Sequence, residues 1–367
     1  MKFSCEKTLL QDAIALASKA SSTKSSIALL EGLYIHADHG LEISGYDLSI
    51  GIRAFCDADV TETGEIVLNA KIFGDIVRKL PEDTVWIETD EKLITTIRGG
   101  KSVFQIIGNE AVDFPKLPEV SLDTVIALPQ SVLKSIISQT IYAVSDNESK
   151  PIHTGCLFET EAGKLTVVAV DGYRLSVRRE ELACDGSLKF VVPGAALREI
   201  ERILGDGEDL VRIYPDEKHI MFQIGETVLI SRLLEGEFLN YKTAIPASYD
   251  HECMVDVRAF TQAVERVSLI VSERLKNPIR IRFEGNVMQM SCITAIGKSY
   301  DECLLEGDVN DLEIGFNNRY LLDALRACPD GKVKVSLKGS LNPIVFTPEE
   351  GDCFTYLVLP VRLKGNE

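Results

Sequence analysis

Apolar and polar positions alternate along this chain in two rhythms, one of strands and one of helices, and the same succession is written three times. The apolar runs Glu65-Ile66-Val67-Leu68, Lys189-Phe190-Val191-Val192 and Glu313-Ile314-Gly315-Phe316 lead into Asn69, Pro193 and Asn317, each 124 residues after the last. These short runs predict strands. Beyond them Ile72, Phe73, Ile76 and Leu80 recur as Ala196, Leu197, Ile200 and Leu204, then as Tyr320, Leu321, Ala324 and Cys328. A spacing of three and four places each set on one helical face. Turn formers close every copy: Pro81-Glu82-Asp83, Gly205-Asp206-Gly207 and Pro329-Asp330-Gly331.

The repetition extends upstream. One stretch sets Leu9, Leu10, Ala13, Ile14 and Ala17 on a face; a second does so with Val132, Leu133, Ile136, Ile137, Ile141 and Val144; a third with Phe260, Val264, Val267 and Val271. The six patterns predict helices over 8–20, 71–80, 131–145, 195–204, 259–276 and 319–328. Strands are expected at Gly32 to His36, Cys156 to Glu159 and Ile279 to Phe283. Hairpin signals follow at Asp38-His39-Gly40, Glu161-Ala162-Gly163 and Glu284-Gly285-Asn286. Each copy therefore reads as helix, strands, helix, strands: an α+β unit with two helices on one face of antiparallel sheet. Breaks near Pro115 to Leu122 and Pro246 to Glu252 give units 1–119, 126–246 and 252–367. One architecture repeated in one chain makes assembly the central question.

Composition changes this picture little until charge is placed. The 367 residues carry a net charge of −17, with 45% hydrophobic and 26% charged residues. No apolar run is long enough to predict a membrane span, and the opening Met1-Lys2-Phe3-Ser4-Cys5-Glu6 lacks the apolar core of a signal peptide. Nine cysteines without a CxxC pair fit free thiols in a reducing cytosol. Net acidity alone argues against a simple basic nucleic-acid binder. Yet the six helical windows together carry +5, leaving −22 on strands and loops. Arg78, Arg202 and Arg326 fall at one point of the second helix of each copy. Asp75, Glu199 and Asp323, three residues earlier, are in reach for ordinary surface ion pairs. Symmetric repetition also allows a cationic wall inside an acidic protein, suited to a polyanion.

Catalytic signatures do not occur. There is no GxxxxGK[ST], no HExxH and no GxSxG. His36 and His39 are spaced HxxH, but His39 sits at a hairpin beside Gly40, where a solvated histidine is expected rather than a ligand. No two carboxylates pair on an apolar face as acid–base catalysis requires.

Two segments carry identity: Val168-Ala169-Val170-Asp171-Gly172-Tyr173-Arg174-Leu175-Ser176-Val177 and Tyr356-Leu357-Val358-Leu359-Pro360-Val361-Arg362-Leu363. Both closely resemble the bacterial replicative sliding clamps, the beta-subunit family of DNA polymerase III. The likeness covers essentially the whole chain, including Leu157-Phe158-Glu159-Thr160 and Glu235-Gly236-Glu237-Phe238. It implies three DNA-clamp domains and a head-to-tail homodimer forming a six-domain ring, with helices lining the hole. The helices would face double-stranded DNA without reading its bases, since phosphate contacts position but do not specify.

By this resemblance, DNA contacts fall on Lys24, Lys71, Arg78, Lys101, Asn147, Lys150 and Arg202. A partner-peptide pocket falls on Val170, Gly172, Tyr173, Arg174, Leu175, Leu239, Ala244, Asn317, Tyr320, Leu357, Leu359, Pro360, Val361 and Arg362. The motif it takes carries glutamine and bulky apolar residues. Implied partners are the polymerase alpha subunit, the clamp-loader delta subunit, repair and translesion polymerases, ligase and mismatch-repair proteins. The dimer interface would pair the edge Lys101 to Ile106, with Phe104, against Ile270 and Val271. No metal or cofactor is implied; ATP would be spent by a separate loader.

The chain departs from the family pattern in places. Lys24 stands where arginine is common, Ile72 where lysine is familiar, and Pro151 where an aromatic is familiar. Tyr173 replaces a frequent histidine, His153 an aliphatic residue and Leu239 a proline. Lys364-Gly365-Asn366-Glu367 extends past Leu363, and this tail could partly shade the pocket. Two other function classes stay open beside the clamp: a peptide-binding hub whose ring matters little, and an unrecognised hydrolase on this scaffold.

Overall fold

Six helices form where the apolar faces predict them: α1 (Lys7–Ser18), α2 (Ala70–Lys79), α3 (Gln130–Ser138), α4 (Gly194–Ile203), α5 (Val257–Ser268) and α6 (Asn318–Ala327). Side-chain caps start three of them. Asn69 accepts a hydrogen bond from the Ile72 amide at 3.0 Å, Asp256 from the Ala259 amide at 2.7 Å, and Asn317 from the Arg319 amide at 2.9 Å. Each such cap stabilises its helix by about 1 kcal/mol. The computed structural model describes residues 1–22, 25–182, 186–272 and 277–363.

Two predicted helices were drawn too long. The window 131–145 ends as α-helix at Ser138, where the Thr140 hydroxyl donates back to the carbonyls of Ile136 at 2.8 Å and Ile137 at 3.3 Å. A 3-10 turn, Ile141–Ala143, follows. Ala143 and Val144 remain buried there, so the apolar rhythm persists after the helix has stopped. In the window 259–276 the helix ends at Ser268, whose hydroxyl turns back onto the Val264 carbonyl at 2.6 Å; positions 273–276 of that window lie outside the described residues. Such back-bonding competes with helix continuation.

The chain divides into two compact units: Met1–Lys134 with Arg198–Leu233, and Ser135–Leu197 with Leu234–Glu367. The first holds two sheets. One runs Asp59–Glu62, Lys2–Glu6, Thr84–Thr89, Ile94–Gly99, Ser102–Ile107. The other runs Ile126–Pro129, Leu210–Pro215, His219–Ile224, Thr227–Arg232, Ile50–Cys56, Leu41–Tyr46, Gly32–Ala37, Gly64–Asn69. The second unit holds one twelve-stranded sheet. Its order is Leu188–Pro193, Gly155–Glu161, Lys164–Val170, Arg174–Glu181, Phe354–Val358, Ile344–Thr347, Lys332–Leu337, His251–Asp256, Gly297–Glu306, Val287–Thr294, Ile279–Glu284, Leu312–Phe316. The ladders are antiparallel, as hairpin-linked strands dictate. The turn at Ala162 and Gly163 has φ of 50° and 75°, the left-handed pair a two-residue hairpin requires.

Repeats join edge to edge inside these sheets. Ile50 lies opposite Ser231 in the first unit, and Arg174 lies opposite Val358 in the second. The helices cover one sheet face. In the first repeat Leu10, Ile14, Phe73 and Val77 pack on Leu33, Ile35, Ile43 and Ile66. In the third, Phe260, Val264, Leu321 and Leu325 pack on Phe283, Phe316, Phe346 and Tyr356. Each fully buried Leu, Ile or Phe is stabilised by about 1.5–3 kcal/mol relative to exposure, which fixes strand register on the core side.

Candidate functional site

In the second unit, the strand Lys164–Val170 reverses into Arg174–Glu181 through Asp171, Gly172 and Tyr173. Asp171 organises the turn: its Oδ1 accepts from the amides of Tyr173 at 2.9 Å and Arg174 at 3.0 Å. Gly172 sits at φ 89°, a conformation that strains residues with a Cβ. The turn delivers Arg174 inward, where the residue is only 8% exposed. Its Nε donates to Asp171 Oδ2 at 2.9 Å and its Nη1 to Asp323 Oδ2 on α6 at 2.5 Å. Burial disfavours the guanidinium charge, but the two carboxylates more than compensate and its pKa is raised.

Aromatic rings complete this stack. The guanidinium carbon lies 4.7 Å from the Tyr320 ring centre and 5.5 Å from that of Tyr142, within cation–π range. Tyr173, 57% exposed, lies over Tyr320 with centroids 5.6 Å apart and planes 19° from parallel. Asn317 caps α6, which carries Tyr320 and Asp323.

The C-terminal segment lies alongside. Leu175 pairs with Leu357 across the junction. Beyond Val358, the Leu359 amide donates to the Tyr173 carbonyl at 2.8 Å and the Val361 amide to the Gly315 carbonyl at 2.7 Å. The approach at Gly315 is close: a Cβ there would lie 2.6 Å from Leu363 Cδ2. Leu359 and Val361 are each left 40% exposed. Beneath, Val170, Leu175 and Leu357 join Leu157, Phe238 and Tyr241 in one apolar cluster. His153 stands edge-on to Phe238 at 5.3 Å; burial, then the Lys150 charge, hold its pKa below the ordinary value.

The structure thus brings Val170, Tyr173, Arg174, Leu175, Tyr320, Leu357, Leu359 and Val361 into one neighbourhood. Leu239 and Ala244 are exposed beside Phe238 and the 3-10 turn Tyr241–Thr243. Pro360 is half-buried and Arg362 exposed along the C-terminal segment. Exposed aliphatic side chains beside a fixed aromatic–cation stack suit a short apolar peptide. Sequence reading missed Asp171, Asp323, Tyr142 and Gly315. Asp171, three residues before Arg174, carried a signal; nothing in the sequence marks Tyr142.

The residues expected at DNA are exposed. In the first unit, Lys71 and Arg78 lie seven residues apart on α2, hence on one face. Arg78 pairs with Asp75 at 2.7 Å and Arg202 on α4 with Glu199 at 2.5 Å. Lys101 occupies the turn before Ser102–Ile107. In the second unit Asn147 and Lys150 share a turn, the Lys150 amide donating to the Asn147 carbonyl at 3.2 Å. Lys24 and the tail 364–367 lie outside the described residues. The six observed helices carry the same net +5 as the predicted windows.

One expected ion pair is corrected. Arg326 does not pair with Asp323; it reaches Glu265 on α5 at 2.8 Å, because Arg174 has taken Asp323. At the expected dimer edges, Phe104 lies with Val103 and Ile107 on an exposed edge strand of the first unit. Ile270 and Val271 are half-buried after α5 in the second, beside the exposed Leu269.

Comparison with known proteins covers the chain. Residues 1–118, 127–240 and 242–362 match, in turn, the N-terminal, central and C-terminal domain of the DNA polymerase III beta subunit. A beta sliding clamp of Halalkalibacterium halodurans is 35% identical over 99% of this chain and 100% of that protein. The crystal structure of the Bacillus subtilis DNA polymerase sliding clamp superposes with a TM-score of 0.96 at 32% identity, covering 99% of this chain and 100% of that one. A putative DNA polymerase III beta subunit from Eubacterium rectale gives 0.95 at 36% identity with the same coverage.

Proposed function

The chain belongs to the DNA polymerase III beta-subunit family, the bacterial sliding clamps, and from that premise we propose how its residues divide the work of a processivity clamp. It encircles duplex DNA and tethers the replicative polymerase. The observation that carries this reading is the end-to-end match of all three repeats to that family.

Two copies close head to tail, the edge with Phe104 meeting the region of Ile270 and Val271. An exposed edge strand with unpaired amides supports this pairing. Lys71, Arg78, Lys101, Arg202, Asn147 and Lys150, with Lys24, contact phosphate, so that the duplex is held without being read. The cleft around Tyr173, Tyr320, Leu359 and Val361 takes the short apolar motif of the polymerase alpha subunit. Loader delta subunit, repair and translesion polymerases, ligase and mismatch-repair proteins use the same cleft. The chain itself performs no catalysis, needs no cofactor and works in the cytoplasm.

The test is retention on nicked circular DNA after loading with a clamp loader and ATP, followed by linearisation. Release on linearisation is expected of a topological link. Retention on the linear product would mean ordinary site binding and would sink the clamp reading.

A further inference from the structure

We propose that the first junction between repeats carries a ligand site of its own, for a small molecule with an apolar body and one carboxylate. It lies wholly in the first unit and shares no residue with the partner-peptide cleft.

The eight-stranded sheet turns Ile35, Ile43 and Ile66 toward the helices. Alternate residues therefore point to its other face. There Arg53, Ser44 and Tyr34 stand directly opposite one another on three neighbouring strands. The chain between the first and second repeats crosses above them. It is held at two points: Phe114 stacks on Tyr34 with centroids 5.8 Å apart, and Leu117 lies over Gly51, where a Cβ would come within 2.1 Å of its Cδ2. The opposite wall belongs to the second repeat, whose Met221 and Ile230 are a cross-strand pair. Between these walls is a cavity of about 860 Å³, the size of a small-molecule site.

The second junction shows why this space exists. There the connecting chain presses Phe238 and Tyr241 onto Val170, Leu175 and Leu357 in one apolar cluster. At the first junction only Tyr46, Val67 and Phe114 form the buried cluster. The connecting chain bridges the sheet face here and does not fill it.

Polar groups on the floor name the ligand. Ser44 is 2% exposed, and its hydroxyl has no hydrogen-bond partner among the described residues. Arg53 reaches Glu42 only at 3.9 Å, too long for a hydrogen bond. Glu65 is already engaged, accepting from the Tyr34 hydroxyl at 2.8 Å. The unused groups are thus a hydroxyl and a guanidinium fork facing each other across two strands. A carboxylate satisfies both, and bidentate pairing with arginine is strong. Leu117, Met221 and Ile230 offer the apolar body its contacts. Net charge does not favour an anion in this acidic chain; the uncommitted donors do.

The experiment is a saturation-transfer NMR titration of 4-phenylbutyrate onto the full chain, with 4-phenylbutylamine as the same body carrying the opposite charge. The acid is expected to bind with a dissociation constant of about 1 mM or below, as suits so small a ligand. Arg53→Gln should weaken it about tenfold, and Ser44→Ala about two- to fivefold. Arg53 has a side chain 41% exposed, so its loss leaves the core intact. Absence of binding overturns the site. Binding undiminished in Arg53→Gln places the acid elsewhere and overturns it too. An amine that binds as well as the acid overturns the ligand class.

Discussion

Two junctions between repeats open on the same turn and end in different chemistry. At the first, Asp47 Oδ1 accepts from the amides of Ser49 at 2.8 Å and Ile50 at 2.7 Å. At the second, Asp171 does the same for Tyr173 and Arg174 at 2.9 Å and 3.0 Å. The residue after each aspartate is left-handed, Leu48 at φ 74° and Gly172 at φ 89°. An amide at or just past the end of the neighbouring strand then bonds the turn carbonyl: Arg232 to Ser49 at 3.0 Å, Leu359 to Tyr173 at 2.8 Å. The backbone cradle is thus common to both. Only the second fills it with a tyrosine and an arginine; the first has Ser49 and a buried Ile50. A repeated scaffold supplies the geometry, and two side chains make the second junction chemically different from the first.

The largest effect is expected where the copies diverge most. Arg174→Ala leaves Asp171 and Asp323 without their partner in a largely buried setting and should cost about 3 kcal/mol or more. Urea unfolding reads the loss, and a fluorescein-labelled peptide carrying glutamine, leucine and phenylalanine, the motif of the proposed cleft, should no longer bind. Retained stability and binding would show that the carboxylates find other partners and that the stack is incidental.

The turn itself gives a smaller and signed effect. Gly172→Leu makes the second turn like the first and should cost about 1–2 kcal/mol, the penalty for a Cβ in left-handed backbone. Leu48→Gly runs the other way and should stabilise by up to about 1 kcal/mol, the relief being partly offset by glycine's larger unfolded-state entropy. Two changes of the same sign would mean that packing, not φ, decides residue choice at these positions.

How much of this was legible follows from which forces are local. The helices showed in the sequence because one face of each is buried, and burial writes a period of three to four into the residues. The same cause made the window 131–145 overrun: Ala143 and Val144 are buried on a 3-10 turn and irregular chain rather than a helix. The cleft's aliphatic and aromatic members were reached through resemblance, and the fold confirms only their proximity. Asp323 was invisible as a partner of Arg174, 149 positions away. Its nearer candidate, Arg326, satisfied every local rule. Strand pairing between repeats was equally hidden, since backbone hydrogen bonds leave no mark on side-chain identity.

That reassignment of Asp323 sets the smallest and sharpest comparison, between α2 and α6. Arg78 pairs within its helix, with Asp75 at 2.7 Å, while Arg326 crosses to Glu265 on α5 at 2.8 Å. All four side chains are substantially exposed, so either arginine changed to alanine should shift stability by no more than about 0.5 kcal/mol. On the proposed reading, the effect to look for is on DNA binding. If an arginine touches phosphate, its loss lowers the slope of log affinity against log salt by about 0.9. A drop for Arg78→Ala and none for Arg326→Ala would mean that the cross-helix pair withdraws the third repeat from the duplex. Equal drops would mean that all three repeats grip alike, and that Arg174 took a carboxylate the DNA contact never needed.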